Sequence, residues 1–424
     1  MTTHSQPLIA RPASRARQAI AQPTRGNGQL SVQPHGREAS ELPRVAFVST
    51  YPPTTCGLAS FTTSLRRAMA TARGTDNGLC VTRVTDESDP GPIMPSAAVW
   101  GLVNPADRYS VSAAARRLSQ FDAVILQHEY GIYGPASGRS VLDLVDQTDA
   151  PVITTLHTVL TQPTDLQQLI MRRLVDSCDR AVVLTTAAQR LLAEGYDVDD
   201  AVVIPHGTDV VRIAPGGARR AGTADRGPTL LTWGLIGPGK GLEWAIAAVH
   251  LLRDRFPGIR YVIAGRTHPK VQDSHGEDYR RSLEEIVERL GLEDAVEFID
   301  DYLPRPALHK LLGSTDAVVL PYDSTEQVVS GVLTEAIAAS VPVVATEFPH
   351  AVELAEADAV VTAPHQRPDA IAQALTDLFD APNQMERMRD AQRRLAPDLE
   401  WSSVAARYEA LVRSVLKRPV ALDA

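Results

Sequence analysis

Short apolar runs alternate with amphipathic segments along the first half of the chain. A β-branched run, Arg44 to Thr50, is followed by a Pro-Pro turn and by a segment, 58–70, whose apolar positions recur at helical spacing. The alternation returns at Ala123 to His128, at Pro151 to His157 with a helix extending to Val175, and in the runs RAVVLTT, AAQRLLAEG and AVVIPHG. Strands that alternate with helices predict a parallel sheet covered by helices on both faces.

A second alternating series follows a polar, Gly- and Arg-rich stretch. Strands are predicted in TLLTWG, RYVIAG, AVEFID, DAVVLPY and PVVAT, and helices after Gly241 and in YRRSLEEIVERLG, PALHKLLGS and SGVLTEAIAAS. The predicted fold class is therefore α/β, with two Rossmann-like, doubly wound parallel sheets. We expect a disordered tail at 1–42, a first domain at 43–210, a linker at 211–228, a second domain at 229–398 and a helix at 399–418 that packs back across the junction.

Composition places the chain among ordinary globular proteins and limits its partners. The apolar fraction is 44%, the charged fraction 22% and the net charge -9. We expect no nucleic acid partner, because that affinity normally comes from a strongly basic surface. Three widely spaced cysteines predict neither a disulfide framework nor a zinc site, which favours a cytoplasmic location. No apolar run is long enough to span a bilayer, so any membrane contact would be peripheral.

The first 40 residues differ in composition from the rest of the chain. They are rich in Pro, Gln, Ser and Arg and contain no acidic residue before Glu38. That charge pattern resembles a transit peptide, but a disordered bacterial tail explains it more simply. Only four of the 42 Lys and Arg residues are lysines, a bias that indicates a bacterial source with a GC-rich genome.

The segment Gly234 to Lys240 fits the spacing of a P-loop, G-x-x-x-x-G-K. A P-loop continues with Ser or Thr, whose hydroxyl binds Mg²⁺. Here the next residue is Gly241. Lys240 is also the first lysine in the chain, and an ammonium group on a glycine loop can neutralise a diphosphate without a metal. We therefore expect phosphate binding at this loop and no metal site.

Other candidate residues follow predicted strands, where ligands bind in open parallel sheets. Gly57 opens the first helix, and His128 and His157 end two strands of the first sheet. The glycine-rich segment QHEYGIYGPASG, which contains His128 as its second residue, could wrap a small polar ligand. Gly57 alone could equally be a turn glycine, and a single histidine at a strand end is more often structural than catalytic. Two histidines on one sheet edge favour a functional site.

The segment SGVLTEAIAAS predicts a helix that begins at Ser330 and Gly331. Amides at a helix N-terminus favour a phosphate group. Glu335 lies one turn further along and could accept hydrogen bonds from paired hydroxyl groups such as those of a ribose. An amphipathic helix with a serine cap would produce a similar sequence.

Taken together, the sequence resembles a family 4 glycosyltransferase of the GT-B fold over roughly residues 43–416. The resemblance rests on TLHTV, VIPHGTD, GLIGPGKG, YVIAG, DAVVLPY and SGVLTEAIAASVPVVAT, in this order and spacing. The segments YPPTTCGLASFT and QHEYGIYGP also resemble a bacterial subgroup linked to mannose-containing oligosaccharides. The resemblance implies retaining transfer of a hexosyl group from a nucleotide diphosphate sugar, GDP-mannose or UDP-glucose, to a glycan or glycoconjugate in an interdomain cleft.

The resemblance also implies roles for individual residues. His157 and Lys240 would be catalytic, His157 beside the transferred sugar and Lys240 at the departing diphosphate. The donor would be bound by Gly57, Gly234, Arg266, Ser330, Gly331, Val332 and Glu335. The acceptor would be bound by His128, Glu129 and Tyr130.

Two positions depart from the family's pattern. The family usually carries a Glu eight positions before the counterpart of Glu335, and here that position is Gln327, next to Glu326. Both are kept as catalytic candidates. The lysine loop also lacks the usual basic residue before Lys240, and Arg266 is the candidate to replace it.

Other function classes remain possible from the sequence alone. An epimerase or a glycan phosphorylase can share the GT-B fold, and a non-catalytic nucleotide-sugar sensor would be compatible with Gln327. A dinucleotide oxidoreductase is disfavoured, since no G-x-G-x-x-G follows the first strand. The acceptor, the linkage and the oligomeric state stay open.

Overall fold

A computed structural model of the chain describes residues 42–54, 56–85, 98–209, 227–301 and 303–417. Nearly all of the predicted tail and most of the predicted linker lie outside these ranges. The described residues form two parallel sheets, each with helices packed on both faces. The predicted α/β fold with two doubly wound domains is confirmed.

The first domain contains a seven-stranded sheet in the order β3-β2-β1-β4-β5-β6-β7. Its strands are β1 (Val45–Ser49), β2 (Leu79–Val84), β3 (Val99–Val103), β4 (Ala123–His128), β5 (Val152–Leu156), β6 (Arg180–Val183) and β7 (Val202–Val203). Its helices are α1 (Gly57–Arg73), α2 (Arg108–Leu118), α3 (Pro135–Gly138), α4 (Ser140–Asp146), α5 (Asp165–Ser177) and α6 (Thr186–Tyr196).

The second domain contains a six-stranded sheet in the order β10-β9-β8-β11-β12-β13. Its strands are β8 (Thr229–Trp233), β9 (Arg260–Ala264), β10 (Val296–Ile299), β11 (Ala317–Leu320), β12 (Val343–Thr346) and β13 (Val361–Ala363). Its helices are α7 (Leu242–Leu252), α8 (Pro269–His275), α9 (Asp278–Leu290), α10 (Arg305–Leu312), α11 (Gly331–Ala338), α12 (Pro349–Glu356), α13 (Pro368–Asp380) and α14 (Pro382–Leu399).

The last described helix, α15 (Trp401–Leu416), packs on the first domain although it follows the second along the chain. Its Tyr408 hydroxyl lies 2.9 Å from Thr155 Oγ1 of β5, in a buried contact. Arg73 Nε of α1 donates to Glu409 Oε1 of α15 at 2.5 Å, and the two side chains are only 2% and 8% exposed. The chain therefore crosses between the domains a second time at Glu400.

Strand order determines where a ligand can bind in each sheet. Both sheets reverse their direction of winding beside their first strand, between β1 and β4 and between β8 and β11. In open parallel sheets the crevice lies outside the carboxyl ends of the strands at that point. The loops that follow β1, β4, β8 and β11 are therefore the ones positioned to build a site.

Candidate functional site

The loop after β8 carries Lys240 and is shaped by glycine. Gly241 has φ 61°, and a Cβ atom added there would lie 1.9 Å from the Pro321 carbonyl oxygen. A serine or threonine cannot occupy this position, so the hydroxyl that a P-loop uses for Mg²⁺ is excluded by the backbone. The structure thus explains sterically why this loop departs from the P-loop pattern.

The Lys240 side chain lies against the end of β11. Its Nζ atom is 4.3 Å from the centroid of the Tyr322 ring, a cation–π contact. Burial lowers the pKa of Lys240 from its usual value. Asp323 fixes the loop, because its amide donates to the Gly239 carbonyl at 3.0 Å and its carboxylate accepts from Trp244 Nε1 at 2.8 Å. The ammonium group is thus held in a partly buried position where an anion would stabilise its charge.

The N-terminus of α11 lies beside this loop. Ser330 caps the helix, its hydroxyl oxygen accepting from the Leu333 amide at 3.2 Å, as the sequence predicted. The Ser330 amide itself donates to His350 Nδ1 at 3.0 Å, which corrects the expectation that this N–H would be free for a phosphate. Gly331 and Val332 supply the next amides of the first turn, where no preceding helical carbonyl can accept from them.

Two contacts complete the second-domain side of the site. A Cβ atom added at Gly234 would lie 3.3 Å from Val332 Cγ2, so the lysine loop and the start of α11 are packed together. Glu335, one turn into α11, accepts a hydrogen bond from Trp233 Nε1 at 2.9 Å. Burial raises the pKa of the Glu335 carboxyl, and the Trp233 hydrogen bond opposes that rise.

His157 stands immediately after β5 on the first-domain side. Its Nε2 atom lies 2.8 Å from Gln127 Oε1, and its ring meets Phe61 edge-on with centroids 4.8 Å apart. Burial lowers the pKa of His157 to about 3, so the imidazole is neutral at pH 7. Gln127 and Phe61 were not among the predicted site residues.

A second imidazole, His206, lies in the same region and was also missed. It follows β7 and meets Phe61 with ring centroids 5.1 Å apart. A Cβ atom added at Gly331 would lie 3.5 Å from His206 Nε2, so this ring reaches from the first domain to the start of α11. The histidine in the VIPHG segment was the available signal, but the sequence does not show what its loop packs against.

Two of the three predicted acceptor residues, His128 and Tyr130, are buried, whereas Glu129 is half-buried. His128 is 0% exposed, and its ring packs between Tyr130 and Tyr133 with centroids 5.0 and 6.4 Å away. His128 ends β4 at the predicted edge of the sheet, but its ring is buried there. Glu129 Oε1 accepts from the Tyr130 amide at 3.0 Å, and Tyr130 is 7% exposed. An acceptor role for these three residues stays a prediction.

Gly57 and Arg266 lie at the edges of the site. Gly57 is the first residue of α1, and a Cβ atom added there would meet nothing within 4 Å. The Arg266 backbone carbonyl accepts from the Ile236 amide at 2.8 Å, which places the residue beside the lysine loop. Its exposed guanidinium lies 3.4 Å from the Asp301 carboxylate. Their donor-binding roles stay predictions.

The loop that leads into α11 also contacts the first domain. Thr161 donates to Glu326 through its amide, at 2.5 Å, and through its hydroxyl. Gln327 Nε2 donates to the Val329 carbonyl at 3.1 Å. Glu326 therefore makes a contact between the domains, whereas Gln327 makes a contact within its own loop. Their catalytic roles stay predictions.

A second interdomain contact lies at the N-terminus of α6. Thr185 Oγ1 donates to the Val328 carbonyl at 3.0 Å in a buried position. The Glu353 carboxylate of α12 accepts from the amides of Thr186 and Ala187 at 3.1 and 2.6 Å. A carboxylate at a helix N-terminus is stabilised by free amides and by the helix dipole. The Thr185 contact holds the loop before α11 against the first domain, and the Glu353 contact holds α12 against it.

Family models match both halves of the chain. "Glycosyltransferase Family 4" matches residues 56–212, and "Glycosyl transferases group 1" matches residues 218–395. Both models describe glycosyltransferases, and together they match most of the chain, which identifies it as a glycosyltransferase. Among the described residues of this glycosyltransferase, no group of three or more His, Cys, Asp or Glu side chains could hold a metal ion, and no helix is long and apolar enough to cross a membrane.

The glycosyltransferase is similar to curated relatives of one kind. A D-inositol 3-phosphate glycosyltransferase of Corynebacterium urealyticum is 29% identical over 267 residues, covering 60% of this chain and 61% of the relative. The aligned region therefore spans about three fifths of that relative's length. One from Kineococcus radiotolerans is 28% identical, covering 64% of this chain and 68% of the relative.

Solved structures share its fold at low sequence identity. A Rickettsia africae glycosyltransferase superposes with a TM-score of 0.67 at 15% identity, covering 89% of this chain and all of the other. Anabaena Alr3699/HepE in complex with UDP gives 0.69 at 16%, covering 88% and 100%. A Thermosynechococcus elongatus sucrose-phosphate synthase gives 0.67 at 19%, covering 88% and 98%. These likenesses confirm the GT-B fold of the glycosyltransferase.

Proposed function

We propose that this glycosyltransferase moves a hexosyl group from a nucleoside diphosphate hexose to a hydroxyl group of a sugar, glycoconjugate or inositol phosphate. The donor would be UDP-glucose or GDP-mannose, and the reaction would run without a metal. The observation that carries the proposal is the packing of the Lys240 loop against the N-terminus of α11. A partly buried ammonium group beside the Gly331 and Val332 amides is suited to a diphosphate.

The choice of substrates draws on the similar proteins. The curated relatives are described as D-inositol 3-phosphate glycosyltransferases, which supports an inositol phosphate as a candidate acceptor. The Anabaena structural neighbour was solved with UDP and with UDP-glucose, which supports a uridine diphosphate sugar as a candidate donor. The segments YPPTTCGLASFT and QHEYGIYGP keep GDP-mannose as the second donor.

Lys240 acts on the leaving group in this proposal. The bond between the anomeric carbon and the β-phosphate oxygen breaks, and the acceptor oxygen forms the new bond to that carbon. The acceptor proton passes to the departing phosphate on the same face, giving retention. Lys240 and the Gly331 amide stabilise the negative charge that grows on the diphosphate. Glu335, held by Trp233, would accept from the ribose hydroxyls.

His157 faces the transferred sugar in this proposal. Because its imidazole is neutral, it can take part in a hydrogen bond without a net charge beside the reacting carbon.

We further propose a cytoplasmic location, which the three free cysteines, Cys56, Cys80 and Cys178, support.

The proposal is tested by replacing Lys240. Lys240→Ala should reduce acceptor-dependent release of nucleoside diphosphate by about 100-fold or more, the loss usual for removing one such stabilising group. Lys310→Ala is the matched control, because Lys310 is exposed on α10 and should leave the rate unchanged. Near-normal turnover by Lys240→Ala would refute the role of this residue. Binding of nucleotide sugar without any turnover by the wild type would instead indicate a sensor.

A further inference from the structure

His206 and His157 flank one aromatic side chain. The Phe61 ring lies 4.8 Å from the His157 ring and 5.1 Å from the His206 ring, centroid to centroid. Both imidazoles therefore belong to one wall of the first domain. Of the two, His206 comes within 3.5 Å of the position that a Gly331 Cβ atom would take. This ring thus stands over the first residue of α11, beside the proposed phosphate site.

The orientation of the His206 ring is fixed by its own loop. Its Nδ1 atom lies 2.8 Å from the Gly207 carbonyl oxygen, which can only accept. Nδ1 must therefore carry the proton in this contact, and in a neutral ring Nε2 is then an acceptor. Gly207 is held against α15, since a Cβ atom there would lie 2.2 Å from Trp401. The His206 ring also lies 6.0 Å from the Trp401 ring, so it is packed on two sides.

The ring is neutral at the pH of the cell. Burial lowers the pKa of His206 to about 4, and the Gly207 hydrogen bond only partly opposes this effect. The ionisable groups that interact with the ring are the imidazoles of His157 and His350, whose own pKa values are also lowered by burial. His206 is partly exposed, so Nε2 is not sealed inside the protein.

A lone pair at Nε2 selects the kind of group that can bind there. Phosphate oxygens of a bound diphosphate are acceptors and would repel it. Sugar hydroxyls can donate. Lys240 and the Gly331 amide already provide donors for phosphate, and His206 offers the complementary chemistry next to them.

We propose that His206 recognises the transferred hexose by accepting a hydrogen bond at Nε2 from one of its hydroxyl groups, which makes it a donor-specificity residue; this proposal rests on the proposed function above. The hydroxyl would belong to the sugar and not to the nucleotide. His206 would therefore distinguish a nucleotide sugar from the free nucleoside diphosphate.

The test compares two ligands by isothermal titration calorimetry. His206→Phe keeps a ring of similar shape but removes the acceptor. We expect it to bind UDP or GDP within about twofold of the wild type, and to bind the corresponding nucleotide sugar roughly tenfold more weakly. His250→Phe is the matched control, because His250 is exposed on α7 and should change neither affinity. Equal weakening of both ligands, or no weakening of either, would overturn the proposal.

Deoxy donors identify the hydroxyl and guard against a folding artefact. Compared with the parent nucleotide sugar, one deoxyhexose donor should bind the wild type about tenfold more weakly. The same donor should bind His206→Phe less than twofold more weakly than the parent does. A folding defect does not produce this coupling. If the phenylalanine variant does not fold, His206→Asn replaces it in the same cycle. Additive losses for every deoxy donor would contradict the proposal. If the wild type binds no nucleotide at all, the proposed function fails instead, before His206 is tested.

Discussion

His157 Nε2 lies 2.8 Å from Gln127 Oε1, and this contact joins the ends of β4 and β5. Gln127 is 0% exposed, and its Nε2 atom has no hydrogen-bond partner among the described residues. The buried Gln127 amide accepts a hydrogen bond from the His157 imidazole through its oxygen, and this bond fixes the orientation of the ring. Gln127 is therefore a positioning residue for His157.

Gln127→Leu should reduce kcat about fivefold to tenfold, because His157 loses its hydrogen bond while the packing volume is kept. Gln127→Glu should behave differently, since a carboxylate favours the imidazolium and raises the pKa of His157. The rate of this variant should then change with pH in a range where the wild-type rate, with His157 titrating at about 3, is flat. Steady-state rates between pH 5 and 8 make the comparison; identical pH profiles would contradict the positioning role.

Glu335→Gln should separate stability from donor binding. The pKa of Glu335 is raised in the folded protein, so its contribution to stability is present below its unfolded pKa and is lost as pH rises through the folded pKa. The glutamine variant should therefore melt roughly 1–2 °C higher at pH 7, and the difference should shrink towards pH 4. Donor affinity should fall at the same time. A lower melting temperature at pH 7 would show that the carboxylate is stabilised by contacts stronger than the Trp233 bond.

Glu409→Gln tests whether α15 belongs structurally to the first domain. The change leaves the Arg73 guanidinium buried without its charge partner, at a cost of about 3 kcal/mol. Urea denaturation followed by circular dichroism measures the loss. The control is Asp398→Asn, which breaks the exposed Arg407–Asp398 pair at 2.7 Å and should cost less than about 1 kcal/mol. Equal effects in the two variants would mean that the buried pair adds nothing to the docking of α15.

Glu353→Gln should loosen the contact between the domains. The neutral amide accepts more weakly from the Thr186 and Ala187 amides, and it loses the attraction of the α6 dipole. We expect a larger radius of gyration in small-angle X-ray scattering without ligand, and about fivefold lower kcat/KM. Glu356→Gln, on the exposed face of α12, is the control. An unchanged radius of gyration together with an unchanged kcat/KM would exclude a role for Glu353 in holding the two domains together.

The sequence predicted the elements whose residues are apolar throughout or amphipathic. The predicted strand Ala123–His128 coincides with β4, and the predicted start of α11 at Ser330 and Gly331 is confirmed. No element was predicted at β2, whose run LCVTRV contains the polar Thr82 and the charged Arg83, although Arg83 is only 3% exposed. Local patterns do not reveal a charge that the fold can bury.

Much less of the candidate site could be predicted. Lys240 was identified from its loop, and the geometry of Gly241 supplies the reason for that loop's shape. His206, Gln127 and Trp233 were missed, since their importance comes from contacts across strands or between domains. The free Ser330 amide was expected from the helix start alone, but His350, twenty positions away in the chain, occupies it.

The most direct test of sugar transfer is a donor panel. GDP-mannose, UDP-glucose, UDP-galactose, UDP-N-acetylglucosamine and ADP-glucose would each be incubated with the enzyme, with and without EDTA. The acceptors would be mannose, mannobiose and inositol 3-phosphate, and nucleoside diphosphate release would be measured. We predict release from one donor that depends on an acceptor and survives EDTA. Release that stops in EDTA, or that proceeds equally without any acceptor, would contradict metal-independent transfer.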